Sequence, residues 1–192
     1  NTNIDNYEIS KQEGTLTVTN REAKYEITVK ANSATATYDG KEHEAVGVET
    51  YEFTVEGNSY TVSGLSTEDP KQKDAGSYTN NITGTPVVTD KEGNVVTSEF
   101  EVKTENGSLE IGKAAVTLKS ATLSKKYDGN ALVNGDTALE IESGFAEGEG
   151  ATYNFTGSQT VVGSSANAFS YELNGNTNID NYEISKQEGT LT

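Results

Sequence analysis

Residues 1–17, NTNIDNYEISKQEGTLT, recur letter for letter as residues 176–192, an offset of 175. Shared composition does not produce a 17-residue identity. The chain therefore reads as a stretch of a tandem array, broken inside one repeat so that the same segment stands at both ends. Repeats of this kind decide the architecture before any local signal does. They also bear on function, because arrays supply reach and multivalency rather than one reaction.

The apolar pattern has period two almost throughout. Tyr25, Ile27 and Val29 alternate with Glu26, Thr28 and Lys30. Tyr51, Phe53 and Val55 do the same, as do Tyr60 and Val62, Phe100 and Val102, Leu109 and Ile111, and Val116 and Leu118. Tyr153 and Phe155, then Phe169, Tyr171 and Leu173, then Tyr182 and Ile184 continue it. Successive strand side chains point to opposite faces, so these runs predict half-buried strands. Turn pairs separate them: Asp39-Gly40, Gly57-Asn58, Gly93-Asn94, Asn106-Gly107, Asp128-Gly129 and Asn134-Gly135. No window carries a helical stripe. Residues 66–74, with Pro70 inside, read as a polar connection.

A weaker repeat lies inside the first. Tyr38-Asp39-Gly40 returns as Tyr127-Asp128-Gly129, 89 residues on. The 175-residue unit is thus expected to hold two diverged modules, residues 20–112 and 113–192. Residues 1–19 are then the last strands of a preceding module whose body is absent. The expected fold class is all-β: two small sheet or sandwich modules placed end to end in an elongated array. The links, residues 19–22 and 112–114, are short and lack a Gly/Ser tract, which favours a stiff pair.

The net charge is −16, from 30 acidic and 14 basic residues. Such a chain repels nucleic acid and anionic lipid, whose binding needs Lys and Arg. Leu, Ile, Val and Phe total only 37 of 192 residues, so any cores are small and the chain borders on the composition of disorder. The ten Tyr and the alternation favour folding. With no Cys, neither a disulfide framework nor a thiolate metal site can form. No apolar run approaches the roughly 20 residues of a spanning helix, so no membrane insertion is expected. Nor does a signal peptide or wall anchor stand out, as expected for a stretch from the middle of an array.

The ordered motifs resemble the YDG/MBG-type repeats of bacterial, Firmicutes-like cell-surface adhesin proteins. Residues 127–129 (YDG), 144–157 (GFAEGEGATYNFTG), 181–184 (NYEI) and 189–191 (GTL) carry one type. Residues 24–29 (KYEITV), 37–43 (TYDGKEH) and 74–79 (DAGSYT) carry the sister type. The resemblance covers essentially the whole chain. It implies small all-β modules in cell-wall-anchored extracellular proteins, with no catalytic residues to carry over.

Every candidate site has a simpler structural reading. In Tyr38-Asp39-Gly40 and Tyr127-Asp128-Gly129, turn chemistry explains Asp and Gly, and each Tyr can cap a core edge. His43 is the only His, so a zinc site or a Ser/His/Asp triad would lack a counterpart in the other module. The carboxylate pairs Glu42 and Glu44, Glu68 and Asp69, and Glu147 and Glu149 read as solvated charge rather than as a glycosidase pair. Asp128, Asn130, Asn134 and Asp136 offer oxygens to calcium on one loop, without EF-hand spacing. Asn81, Asn106 and Asn154 begin glycosylation sequons, without meaning in a bacterial protein. Lys30 and Lys119, equivalent after the first strand of each module, could form an intramolecular isopeptide bond with an Asn. No catalytic residue, cofactor or metal ligand is assigned.

The expected function is a non-enzymatic stalk or spacer whose partners are neighbouring repeats. The alternative is a module that binds host glycan or mucin, which would need a shared exposed aromatic cluster. In residues 1–19, the pairs Tyr7/Ile9 and Leu16/Val18 predict two strands flanking residues 11–14. Two strands alone are marginal in water. This tail is therefore expected to pack on residues 25–29 or on a neighbouring chain.

Overall fold

The alternating runs become strands, and their partners lie far along the chain. The computed structural model describes residues 4–19, 22–135 and 138–192. In residues 22–112 the strands are β1 (Tyr25–Lys30), β2 (Ala34–Thr37), β3 (His43–Glu44), β4 (Glu52–Val55), β5 (Asn58–Thr67), β6 (Lys71–Gln72), β7 (Gly76–Asn80), β8 (Ile82–Asp90), β9 (Phe100–Glu105) and β10 (Gly107–Gly112). In residues 113–192 they are β11 (Ala114–Lys119), β12 (Leu132–Val133), β13 (Ile141–Ser143), β14 (Ala151–Phe155), β15 (Ser158–Gln159), β16 (Ser165–Ala166), β17 (Phe169–Leu173), β18 (Tyr182–Gln187) and β19 (Thr190–Leu191). Short 3-10 turns occur at Ile4–Asn6, Thr97–Glu99 and Ile179–Asn181. The fold is all-β, in several small sheets.

The two stretches repeat one plan. β1 runs parallel to β9 with Tyr25 opposite Phe100, and β11 runs parallel to β18 with Ala114 opposite Tyr182. A 3-10 turn precedes the second strand of each pair. β10 lies between β2 and β7, parallel to the first and antiparallel to the second. β4, β5 and β8 form an antiparallel sheet, and β14 pairs with β17. The shorter ladders are β3 with β6, β12 with β15, β13 with β11, and β16 with β19. Among the described residues, no strand of β1–β10 shares a ladder with one of β11–β19.

Burial follows the period-two pattern. Ile27 and Val29 of β1 pack with Val62, Val88 and Phe100 in one core. Val116 and Leu118 of β11 pack with Phe169 and Tyr182 in another. The second cluster also takes in Tyr38, Ala45, Leu109 and Ile111, so it reaches across the Lys113 link.

Three local expectations are corrected. Residues 66–74 are more ordered than a polar connection: β5 continues to Thr67, and β6 pairs with β3. The ladder is made by backbone groups, so polar side chains at Ser66 and Thr67 do not end it. The β4–β5 turn sits at Glu56-Gly57 rather than Gly57-Asn58, with φ of 49° and 81°. Two left-handed residues suit a two-residue hairpin, which leaves Asn58 to open β5. The tail forms neither expected strand and does not pack on residues 25–29: Tyr7, Ile9, Leu16 and Val18 all stand exposed. Its second copy is ordered because β18 lies on β11 while β19 pairs with β16 and Leu123. Among the described residues, no strand pairs with residues 4–19.

Candidate functional site

The two Tyr-Asp-Gly turns are built alike. The Asp39 carboxylate accepts from the Lys41 backbone N–H at 2.9 Å, and the Asp128 carboxylate accepts from that of Asn130 at 2.9 Å. Gly40 and Gly129 both have φ of 79°, a conformation costly for any residue with a Cβ. The Lys41 N–H, with the His43 ring at 3.0 Å, holds the Asp39 carboxyl below the usual carboxylate range. The Lys125 ammonium and the Asn130 N–H do the same for Asp128.

The tyrosines differ. Tyr127 is 68% exposed, whereas Tyr38 is 4% exposed and sits against the second stretch. Its ring meets the edge of Tyr182 at 5.3 Å and 84°. Its hydroxyl donates to Glu149 Oε1 at 2.5 Å. The Tyr182 hydroxyl donates to Glu149 Oε2 at 2.8 Å and accepts from the Ala146 N–H at 3.0 Å. One carboxylate thus joins two phenols, one from each side of Lys113. Phe145 stacks edge-on to Tyr182 at 5.2 Å, and Lys73 Nζ stands 3.9 Å from Glu149.

A second clasp lies beside the first. Asn181 accepts from the Ala75 N–H at 2.8 Å and donates through Nδ2 to Asp74 Oδ1 at 2.8 Å. The sequence motifs DAGSYT (residues 74–79) and NYEI (residues 181–184) therefore meet at this joint. Gly40 lies over Ala146: a Cβ on Gly40 would come within 3.0 Å of the Ala146 Cβ.

Glu149 corrects the reading of Glu147 and Glu149 as solvated charge, since the Glu149 side chain is 6% exposed. A stretch of acids and glycines (EGEG) gives no local hint of burial, which comes from tyrosines on other strands. The other acids stay outside. Glu42 pairs with Lys71, and Glu68 accepts from Asn81. Asp69 accepts from the Gly47 N–H and the Thr67 hydroxyl. His43 is a half-buried turn partner of Asp39.

On the proposed calcium loop, Asp128 is engaged by Lys125, and Asn134 Oδ1 accepts from Asn167. Asp136 lies outside the described residues. Among the described residues, no three His, Asp or Glu gather as a metal-ligand group. Lys30 pairs with Glu105 at 2.8 Å and Lys119 with Glu140 at 3.1 Å, each on the surface. Of the sequon asparagines, Asn81 and Asn106 bond to each other at 2.8 Å, while Asn154 lies on β14.

Two buried asparagines escaped the sequence reading. Asn80 and Asn167 are fully buried, and their side-chain amides donate to the carbonyls of Asn32 and Ala121. These carbonyls occupy the same place, 89 residues apart, just after β1 and β11. Gly107 and Gly189 pass so near that a Cβ would lie 2.2 Å from the same two oxygens. The repeated Asn and Gly, offset by 87 and 82 residues, were the available signal once strands were aligned.

The joint has a pH signature. Burial, then the hydrogen bond to Glu149, pushes the Tyr38 hydroxyl well above its ordinary pKa, and burial also raises that of Tyr182. An acid whose folded pKa is raised adds stability that is whole below its unfolded pKa and is lost above it. The loss should begin near the ordinary Tyr value of about 10. The urea midpoint should therefore fall between pH 9 and pH 11, and fall less in Tyr38→Phe. An equal fall in both proteins would show that the loss arises elsewhere.

No long apolar helix of the kind that crosses a membrane occurs among the described residues. Compared with known proteins, the chain matches no family model, no curated protein and no solved structure.

Proposed function

We propose that this chain is a non-enzymatic repeat of an extracellular, cell-wall-anchored adhesin-like protein, acting as a stalk. Residues 20–112 and 113–192 serve as two β modules set end to end, and the partners are neighbouring repeats. The observation that carries the reading is the joint. A single carboxylate, Glu149, accepts hydroxyls from Tyr38 and Tyr182 across the one-residue link Lys113, and Asn181 clasps Asp74 and Ala75 beside it. Charge-assisted hydrogen bonds of this kind resist rotation because they are short and directional. A joint so tied transmits orientation from one module to the next, which a spacer needs.

The glycan-binding alternative calls for the same open aromatic cluster on both modules. Among the described residues, the aromatics lying wide open are Tyr7 and Tyr127, which hold unrelated places. This favours the stalk. Solution scattering tests the shape. A compact chain of this length has a radius of gyration near 16 Å, about 2.2·N^0.38. Two modules set end to end, whose longest strands hold 10 and 6 residues, should give a value clearly above the compact one. A value near the compact one would reject the extended stalk, and binding on a glycan array would reinstate the alternative.

A further inference from the structure

The seat that receives Tyr38 has a counterpart in residues 22–112, and there it is already filled. In the second stretch the seat is floored by Tyr182, the first residue of β18, with Glu149 as acceptor. Its cross-strand neighbour is Ala114, whose single methyl leaves room for a ring from outside. In the first stretch the floor is Phe100, the first residue of β9, and its cross-strand neighbour is Tyr25. Tyr25 takes a comparable place beside Phe100, although it lies tilted at 39° where Tyr38 stands edge-on at 84°, and its hydroxyl bond is exposed where that of Tyr38 is part-buried. Its ring lies 5.6 Å from Phe100, against 5.3 Å for Tyr38 on Tyr182. Its hydroxyl donates to a glutamate, Glu56, at 2.7 Å, as the Tyr38 hydroxyl donates to Glu149. Tyr60 closes the other side of Phe100, edge-on at 4.7 Å.

We infer that the residue opening the first strand decides whether a module accepts a Tyr-Asp-Gly turn from another. Ala114 opens the seat and Tyr25 closes it from within. The inference rests on the stalk reading and deepens it. The second stretch takes the Tyr38 turn, and the first stretch refuses the turn of any repeat placed before it. Chain spacing agrees. Leu109 and Leu16 hold equivalent places near the end of a module, five residues before Ala114 but nine before Tyr25. Joints in an array would then alternate, one clasped by tyrosine and the next without that clasp.

The full chain tests this in both directions. It has no Cys, so a pair of introduced cysteines, Thr61→Cys and Thr152→Cys, carries spin labels without further changes. The labelled chain should give a narrow distance distribution across Lys113. Ala114→Tyr should broaden it several-fold by displacing Tyr38, with the circular dichroism of a folded chain retained. A broad distribution before that substitution would overturn the stiff-stalk reading. A narrow one that Ala114→Tyr leaves unchanged would overturn the seat assignment alone. If Ala114→Tyr fails to fold, the reciprocal change decides. Tyr25→Ala should open the first stretch to Tyr127 of a second copy, producing concentration-dependent head-to-tail association that Tyr127→Ala removes. Tyr25→Ala remaining monomeric, or associating regardless of Tyr127, would overturn the inference.

Discussion

Leu191→Ala should lower the stability of residues 113–192 by about 2–5 kcal/mol, while Leu16→Ala in the identical 17-residue segment changes stability by less than about 0.5 kcal/mol. The two leucines share every neighbour in sequence from residues 176–192 and 1–17. Leu191 is fully buried, and Leu16 is 99% exposed. Leu191 bridges Leu123 and pairs with Ser165, so its loss leaves a cavity among strands that cannot follow it inward. Leu16 has no packing to lose. With cores this small the margin of stability is only a few kcal/mol, so Leu191→Ala should leave much of residues 113–192 unfolded at 25 °C. Urea denaturation followed by circular dichroism measures both. Equal losses in the two variants would mean that the tail is packed after all.

Asn80→Ala should be the next most damaging change, costing about 1–3 kcal/mol for each buried group it strands. The Asn80 carbonyl accepts from the Asp69 N–H at 3.0 Å, and its amide donates to the carbonyl of Asn32 at 3.1 Å. Alanine removes both bonds and leaves the Asn32 carbonyl without that donor. Asn167→Ala should cost less, although it occupies the equivalent site. Its amide donates to Ala121 and Asn134, but its own Oδ1 is buried without a partner, so that penalty is already present in the native chain. Thermal unfolding of the two single variants separates them, with the lower midpoint expected for Asn80→Ala. The reverse order would show that the Asn134 contact outweighs the Asp69 bond.

The class of structure is legible in short runs of residues. Tyr25, Ile27 and Val29 alternate with polar residues, and so do Val116 and Leu118. Period two needs only the residues of one strand to be read, so β1 and β11 were legible. Asp39-Gly40 and Asp128-Gly129 were legible as turns for the same reason: Gly supplies the φ of 79° and Asp bonds a backbone N–H two residues on. The repeat offsets, 175 and 89, needed only comparison of the chain with itself.

Tertiary structure alone decided what those elements meet. The repeated segment forms β18 and β19 in its second copy, whereas residues 4–17 of the first copy stand exposed, because a strand is completed by its ladder partners, not by its own side chains. Tyr38 and Tyr127 have the same turn and opposite fates, since burial depends on whether Tyr182 and Glu149 stand opposite. Glu149 looked like surface charge within its acidic stretch and became the acceptor of two phenols brought from distant strands. Asn80 and Asn167 carried no local signal and are core residues, because only the fold carries a chain crossing over them. In each case the local signal is intrinsic to a few consecutive residues, whereas the deciding energy, desolvation with or without a partner, belongs to groups far apart in the chain.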